Sequence, residues 1–312
     1  MNYKKIIVFI LSVFCITTIV YGQPHQLRLG IEPADSFIYR ITETTDFSIK
    51  TDEGTETNNE SKIVDYQIFK SNNNIREEIS TTKATIKDIF IEKKEDGNKY
   101  IYDSKLSNLV HSPLDKSYAK LLNHRFDITL DTIGKITLSK NYNSIFEKDF
   151  SSADIFDNSD FEQLKMQVKE EFNTNTFEQT MRYFEYAYPI DSVNIGESWI
   201  IMDTIYPNFG VLSMMTYTLK EIKNDIAYID IKADLVKDPN FKGIDMDLMH
   251  LKFNLQGQQE GLVLLDLNTG WIRKMSLAQE LSGKMTVFFI DPQGKTLKIK
   301  LRGSTDYDLI NY

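Results

Sequence analysis

Residues 160–188 read DFEQLKMQVKEEFNTNTFEQTMRYFEYAY, and this stretch divides the chain. Its apolar residues recur at steps of three and four: Phe161, Leu164, Val168 and Phe172, then Phe177, Met181, Phe184 and Tyr188. Such steps place side chains on one face of a helix. Ser159 with Glu162 fits a capping box, in which each side chain satisfies an unpaired amide of the first turn; Thr176 with Gln179 fits a second. The spacing predicts two helices, over about 160–172 and about 177–187, broken near Asn173-Thr174-Asn175. Pro189 ends the second, because it has no amide to donate and disfavours helical geometry at Tyr188. Each helix carries one apolar stripe that must be buried. Either Phe177, Met181 and Phe184 form the aromatic wall of a ligand cavity, or the same stripe closes a solid β core.

Alternation of apolar and polar residues dominates on both sides of this stretch. Phe37, Tyr39, Ile41, Phe47 and Ile49 fall on alternate positions, as do Val64, Tyr66 and Ile68, then Ala84, Ile86 and Phe90. Residues 50–62 are polar and read as an exposed hairpin tip, and Asp96-Gly97 is a hairpin signal. Residues 113–123 suggest a short helix, and Phe126, Ile128 and Leu130 a further strand. After Pro189 the pattern is cleaner. Met215, Tyr217 and Leu219 precede a turn at Asn224-Asp225, and Ala227 to Leu235 continue the alternation. Residues 238–247 read as a loop. Strands follow at Leu251–Leu255, Leu262–Leu267, Trp271–Leu281, Met285–Phe289 and Leu297–Leu301. Short turns between consecutive strands indicate an antiparallel meander.

The first 22 residues read as a signal peptide. Lys4 and Lys5 precede an apolar run from Ile6 to Val20, and Gly22 supplies the small residue before a cut between Gly22 and Gln23. The run is shorter than the roughly 20 residues that span a bilayer. Cys15 lies inside it behind the bulky Phe14, which is wrong for lipoprotein processing. Cleavage leaves 290 of the 312 residues and no cysteine, hence no disulfide and no thiolate chemistry. Loss of two lysines takes the net charge from −9 to −11. That balance argues against nucleic acid and anionic membrane surfaces as partners.

No catalytic signature is present. His25, His111, His124 and His250 form no pair at metal-ligand spacing. Gly196-Glu197-Ser198-Trp199-Ile200 lacks the second glycine of a nucleophile turn. Asp154, Asp157 and Asp160 do not match a calcium loop, and their simpler role is negative charge ahead of a helix N-terminus. Asp245 and Asp247 flank Met246 in a loop. Distant carboxylates can still pair into a glycosidase site.

The junction Val193-Asn194-Ile195-Gly196-Glu197-Ser198-Trp199, behind the proline-containing Tyr188–Ser192, resembles one found in a family of uncharacterised secreted β-rich bacterial proteins, a domain of unknown function. The turns at Asp131–Lys135 and Asp266–Gly270 are also similar. The resemblance implies a second β-rich half after the junction and brings no activity, cofactor or catalytic residue. Physically, Gly196 frees the turn and Trp199 anchors the strand behind it.

These observations predict a mainly β protein with a central helical pair. It has one domain over 23–312, with β blocks at 37–140 and 197–308 around a helical stretch at 141–188. The expected architecture is an antiparallel curved sheet or half-barrel with the helices on its concave face; a two-sheet sandwich is the alternative. The expected function is non-enzymatic: binding of a lipid or other apolar or amphipathic molecule between sheet and helices, at Phe177, Met181 and Phe184. The alternatives are a structural or protein-interaction module of the envelope with a solid core, and a carboxylate-dependent glycan-acting enzyme. No cofactor and no metal are expected, no membrane span after cleavage, and a periplasmic or extracellular location without lipidation.

Overall fold

A computed structural model of the chain describes residues 24–30, 36–69, 79–95, 97–106, 112–138, 142, 166–246, 248–288 and 294–311. The signal segment with Cys15, Gly22 and Gln23, the first capping box, Phe161 and Leu164, Asp154, Asp157, Asp160 and Asp247, and His111 lie outside these residues.

The alternating runs become strands β1 (Ser36–Lys50), β2 (Thr55–Phe69), β3 (Ile79–Glu95) and β4 (Asn98–Asp103), then β5 (Arg125–Asp131) and β6 (Ile136–Leu138). Helix α1 (Pro113–Ala119) interrupts them, capped by reciprocal bonds between Ser112 and Asp115. After the helical stretch come β7 (Ser198–Tyr206), β8 (Val211–Lys223), β9 (Ile226–Lys237), β10 (Ile244–Met246), β11 (Met249–Asp266), β12 (Ile272–Phe288) and β13 (Lys295–Asn311). All thirteen strands belong to one antiparallel sheet, ordered β6-β5-β3-β2-β1-β13-β12-β11-β9-β8-β7, with β4 on β3 and β10 on β11. The sandwich alternative is thereby replaced by a single open sheet. Strand β1 is the joint: β2 lies on one side and β13 on the other. The chain runs out to one end of the sheet at β6, crosses through the helical stretch, and resumes at the other end with β7.

Helix α2 (166–171) and helix α3 (Thr174–Tyr186) make the expected pair. The cap of α3 is not where the second box places it. Asn173 is the N-cap, its side chain accepting from the Thr176 amide at 2.9 Å, and the helix starts three residues early. Thr176 uses its hydroxyl to bond the Glu170 carbonyl at 2.8 Å, which ties α3 back to α2.

Contacts of α3 show that the sheet curls around it. Phe177 meets Phe126 of β5 at 6.0 Å, and Arg182 binds Asp203 of β7 at 2.8 Å. These strands are nine steps apart in the sheet. In a flat sheet nine steps span about 43 Å, more than twice the roughly 20 Å length of a 13-residue helix. Glycines permit the curvature: a Cβ on Gly257 would lie 1.9 Å from the Glu280 carbonyl oxygen, and one on Gly283 2.1 Å from that of Asn254. Gly257 breaks the alternation in β11 and Gly283 in β12, which is why each of these strands, of 18 and 17 residues, reads as two in the sequence. Two smaller differences concern loops. The polar tip ends at Gly54, since residues 55–62 pair with β1 as part of β2, and Ile244–Met246 forms β10 inside the expected loop.

Candidate functional site

Helix α3 presents two faces to the sheet. Phe177, Met181 and Phe184 are at most 5% exposed. Phe184 packs edge-on against Tyr39 at 5.0 Å and Tyr307 at 5.1 Å. Phe177 meets Tyr66 at 5.4 Å and Tyr142 at 5.9 Å. Buried hydroxyls here have partners: Tyr39 donates to the Ile272 carbonyl and Tyr307 to that of Thr180, both at 2.5 Å. Phe177, Met181 and Phe184 are thus buried among the aromatic rings of the core.

The space beside the helix opens on its neighbouring face. A cleft of about 170 Å³ lies between Thr176, Thr180, Tyr183 and Tyr186 of α3 and Glu43 of β1, Asp203 and Tyr206 of β7, Gln279 of β12 and Thr305 of β13. Gln279 reaches the cleft from an inward row of the sheet that is set by register. Ala233, Gln259, Gln279 and Gly303 lie side by side in one row across β9, β11, β12 and β13. The small residues at either end of the row leave room above the two glutamines. Gln259 donates its amide to the Tyr183 hydroxyl at 3.2 Å, and Gln279 donates to the Tyr206 hydroxyl. The other amide atom of each, Oε1, is buried with no hydrogen-bond partner among the described residues. A buried polar atom left so costs about 1–3 kcal/mol, so each such atom calls for water or a ligand.

Charges around the cleft are paired. Arg182 holds Asp203 at 2.8 Å, and Lys62 holds Glu43 at 2.6 Å. The hydrogen bond to Asp203 raises the Arg182 pKa. Burial works against the Lys62 charge, and Glu43 more than compensates, so that ammonium titrates above its ordinary value. Burial first, then Asp203, raises the Tyr186 hydroxyl; burial also raises Tyr183 and Tyr206. All three keep their protons at neutral pH; the Tyr186 hydroxyl is hydrogen-bonded to Asp203, while Tyr183 and Tyr206 accept from the glutamines and keep their own protons to donate.

The remaining candidates are placed elsewhere. A wider trough of about 790 Å³ crosses the outer face over Met214, Lys232, Asp234, Glu260, Glu280 and Arg302. Its charges are solvent-exposed and of both signs, and Glu280 already pairs with Lys300 at 2.7 Å and Arg302 at 3.5 Å. His250 bonds Asp245 at 2.7 Å, and His25 sits in a backbone bridge to Val193. Among the described residues no group of three or more His, Cys, Asp and Glu side chains could hold a metal. Ser198 bonds Thr218 at 2.8 Å as part of a strand pair. Trp199 does anchor its strand, stacking on Tyr217 and donating to the Tyr186 carbonyl at 2.9 Å.

No described helix is long and apolar enough to cross a membrane, which says nothing of strands. No curated protein matches the chain in sequence. Among solved structures, OpdQ of Pseudomonas aeruginosa aligns over 89% of this chain and 99% of its own, at 5% identity and a TM-score of 0.24. The translocator domain of the autotransporter NalP from Neisseria meningitidis aligns over 97% and 96%, at 6% identity and a TM-score of 0.19. Scores this low support no argument about function. A family model does match: it spans residues 77–272, from the start of β3 through the helical stretch and the Val193–Trp199 junction to the first residue of β12. The chain thus belongs to DUF6263, a family of unknown function.

Proposed function

We propose that the chain is exported, is cleaved between Gly22 and Gln23, carries no lipid on Cys15, and acts as a non-enzymatic binding protein. Its ligand is a small amphipathic molecule held between α3 and the sheet. The observation that supports this reading is the buried, unpartnered amide atom of Gln279 at the cleft. Tyrosine rings offer flat apolar surface beside it. The ligand is smaller and more polar than a lipid tail, because the apolar side of the helix is taken up by contacts with Tyr39, Tyr66 and Tyr307.

Glu43 and Asp203 are two carboxylates in one cleft, the arrangement a glycan-acting enzyme requires. Each is already ion-paired, Glu43 with Lys62 at 2.6 Å and Asp203 with Arg182 at 2.8 Å, so neither carboxylate is free to face a substrate. The reading therefore predicts no release of nitrophenol from p-nitrophenyl glycosides; turnover abolished by Asp203→Asn would overturn it. The close burial of the helical stripe favours a second reading, an envelope module that binds no small molecule.

Saturation-transfer NMR with phenol and cyclohexanol separates the two. Transfer to wild type that disappears in Gln179→Phe, which fills the cleft from its open side, supports the binding protein. No transfer, or equal transfer in both proteins, supports the module. Intact mass of the exported protein tests the first half of the proposal: the chain should begin at Gln23, and a retained N-terminus or a lipid adduct rules that out.

A further inference from the structure

We infer that the cleft takes a neutral polyhydroxylated molecule about the size of one sugar ring. The inference rests on the cleft being a binding site, and three features of the wall point to this class.

Charge is the first. Arg182 is spent on Asp203 at 2.8 Å and Glu43 on Lys62 at 2.6 Å. An anion would have to compete with Asp203 for the guanidinium, and a cation would have to displace Lys62 or Arg182 from its carboxylate. Balanced pairs offer no net charge to draw either.

Hydrogen-bond valence is the second. Tyr183 and Tyr206 each accept from a glutamine, which leaves their own protons to donate. Gln279 leaves one buried amide atom without a partner at the same wall. The wall thus mixes donors and acceptors. A carboxylate only accepts and an ammonium only donates, whereas a hydroxyl does both at one atom. A ring of hydroxyls serves either orientation of the Gln279 amide.

Shape is the third. The rings of Tyr183 and Tyr186 stand at 84° with centroids 6.4 Å apart, giving a flat face for the C–H side of a pyranose and an edge for its hydroxyls. A volume of about 170 Å³ equals roughly six water molecules at about 30 Å³ each, room for one ring inside the cleft.

The test is titration of the mature chain with glucose, galactose and N-acetylglucosamine, with acetate and choline as charged controls, followed by calorimetry and saturation-transfer NMR. At least one sugar should bind saturably while acetate and choline do not. Gln279→Met and Tyr206→Phe should each weaken that sugar about tenfold, the loss of one hydrogen bond, and Gln179→Phe should abolish it. Tyr206→Phe removes one oxygen and keeps the ring, so it carries the test if Gln279→Met does not fold. If cyclohexanol binds in the cleft and no sugar does, the assigned class is wrong and the binding site stands. If neither binds, both fall. Sugar binding unchanged by all three variants places it elsewhere and also overturns the inference.

Discussion

Phe184 shows what a single residue carries in this molecule. It is 2% exposed and touches Tyr39 on β1 and Tyr307 on β13, the two strands that join the halves of the sheet. Phe184→Ala should cost about 3–5 kcal/mol, because the surrounding aromatic rings cannot collapse into the space. Glu178→Ala, half-buried on the same helix, should cost under about 0.5 kcal/mol. Denaturant unfolding with unchanged m-values measures both, and equal, near-zero losses would show that the stripe is not buried. Asp266 is the residue whose effect depends on pH. Burial pushes its carboxyl pKa up, but hydrogen bonds from Arg273 at 2.8 Å and from the amides of Asn268 and Thr269 outweigh it, and the net shift is downward. A lowered folded-state pKa means stability that is present above the unfolded value, about 3.9, and lost as pH falls through the folded one. Asp266→Asn should therefore cost about 1.5–3 kcal/mol at pH 7, and the gap to wild type should close in acid below pH 4. A gap that stays constant from pH 7 to pH 2 would exclude the ionic contribution. At this scale the apolar stripe was legible, because helical periodicity is local. The cleft was not, since Glu43, Tyr186, Tyr206 and Gln279 come from four elements that only the folded sheet brings together. One signal was present: Gln279 interrupts the inward row Met275, Leu277 and Leu281, and Gln259 does so between Leu255 and Val263. A polar residue at an inward position needs a partner inside.

Among the elements, the legible boundaries were those set by turn and cap chemistry. Asn224 and Asp225 both have positive φ, 50° and 60°, and turn the chain from β8 into β9 where the sequence places the turn. Gly97, at φ 82°, does the same between β3 and β4. The start of α3 was misplaced because two overlapping signals compete. Asn173 and Thr176 are both capping residues, and the capping-box pattern favours Thr176. Asn173 wins because its carboxamide reaches the Thr176 amide, leaving Gln179 no backbone amide there to serve. Asn173→Ala should cost about 1 kcal/mol, whereas Gln179→Ala should cost under about 0.5 kcal/mol. Urea titration of the two variants checks this, and the reverse order would restore the capping box. The hairpin tip was overestimated for another reason. Residues 55–59 are exposed and polar, so no burial pattern marks them as strand. Their backbone pairing with residues 46–50 of β1 is invisible to periodicity.

At the level of the whole molecule, one pairing makes two β blocks into one sheet. β1 pairs with β13 from Ile38 opposite Asn311 to Lys50 opposite Lys298, strands separated by nearly the whole described chain. Local patterns in sequence show that both strands exist and that each has an apolar face. They do not show which strand closes on which, because the partner is selected by the packing of α3 across the joint. That packing is shared: Tyr39 from one block, Tyr307 from the other and Phe184 from the helix form a single contact. Neither block can lose its structure without exposing this cluster. Unfolding should accordingly be a single cooperative transition, although domains of this size often unfold in stages. The two tryptophans report from different places. Trp199 lies on β7 at the end of the sheet, and Trp271 packs on Phe37 at 4.5 Å beside the joint. In Trp271→Phe only Trp199 fluoresces, and in Trp199→Phe only Trp271. Within each variant the fluorescence midpoint in urea should coincide with the midpoint from far-ultraviolet circular dichroism, so the comparison is unaffected by any stability the substitution removes. If Trp199 fluorescence is lost at lower urea than the dichroism, the β7–β9 end is a separate unit, and the chain is not the single cooperative domain that its continuous sheet implies.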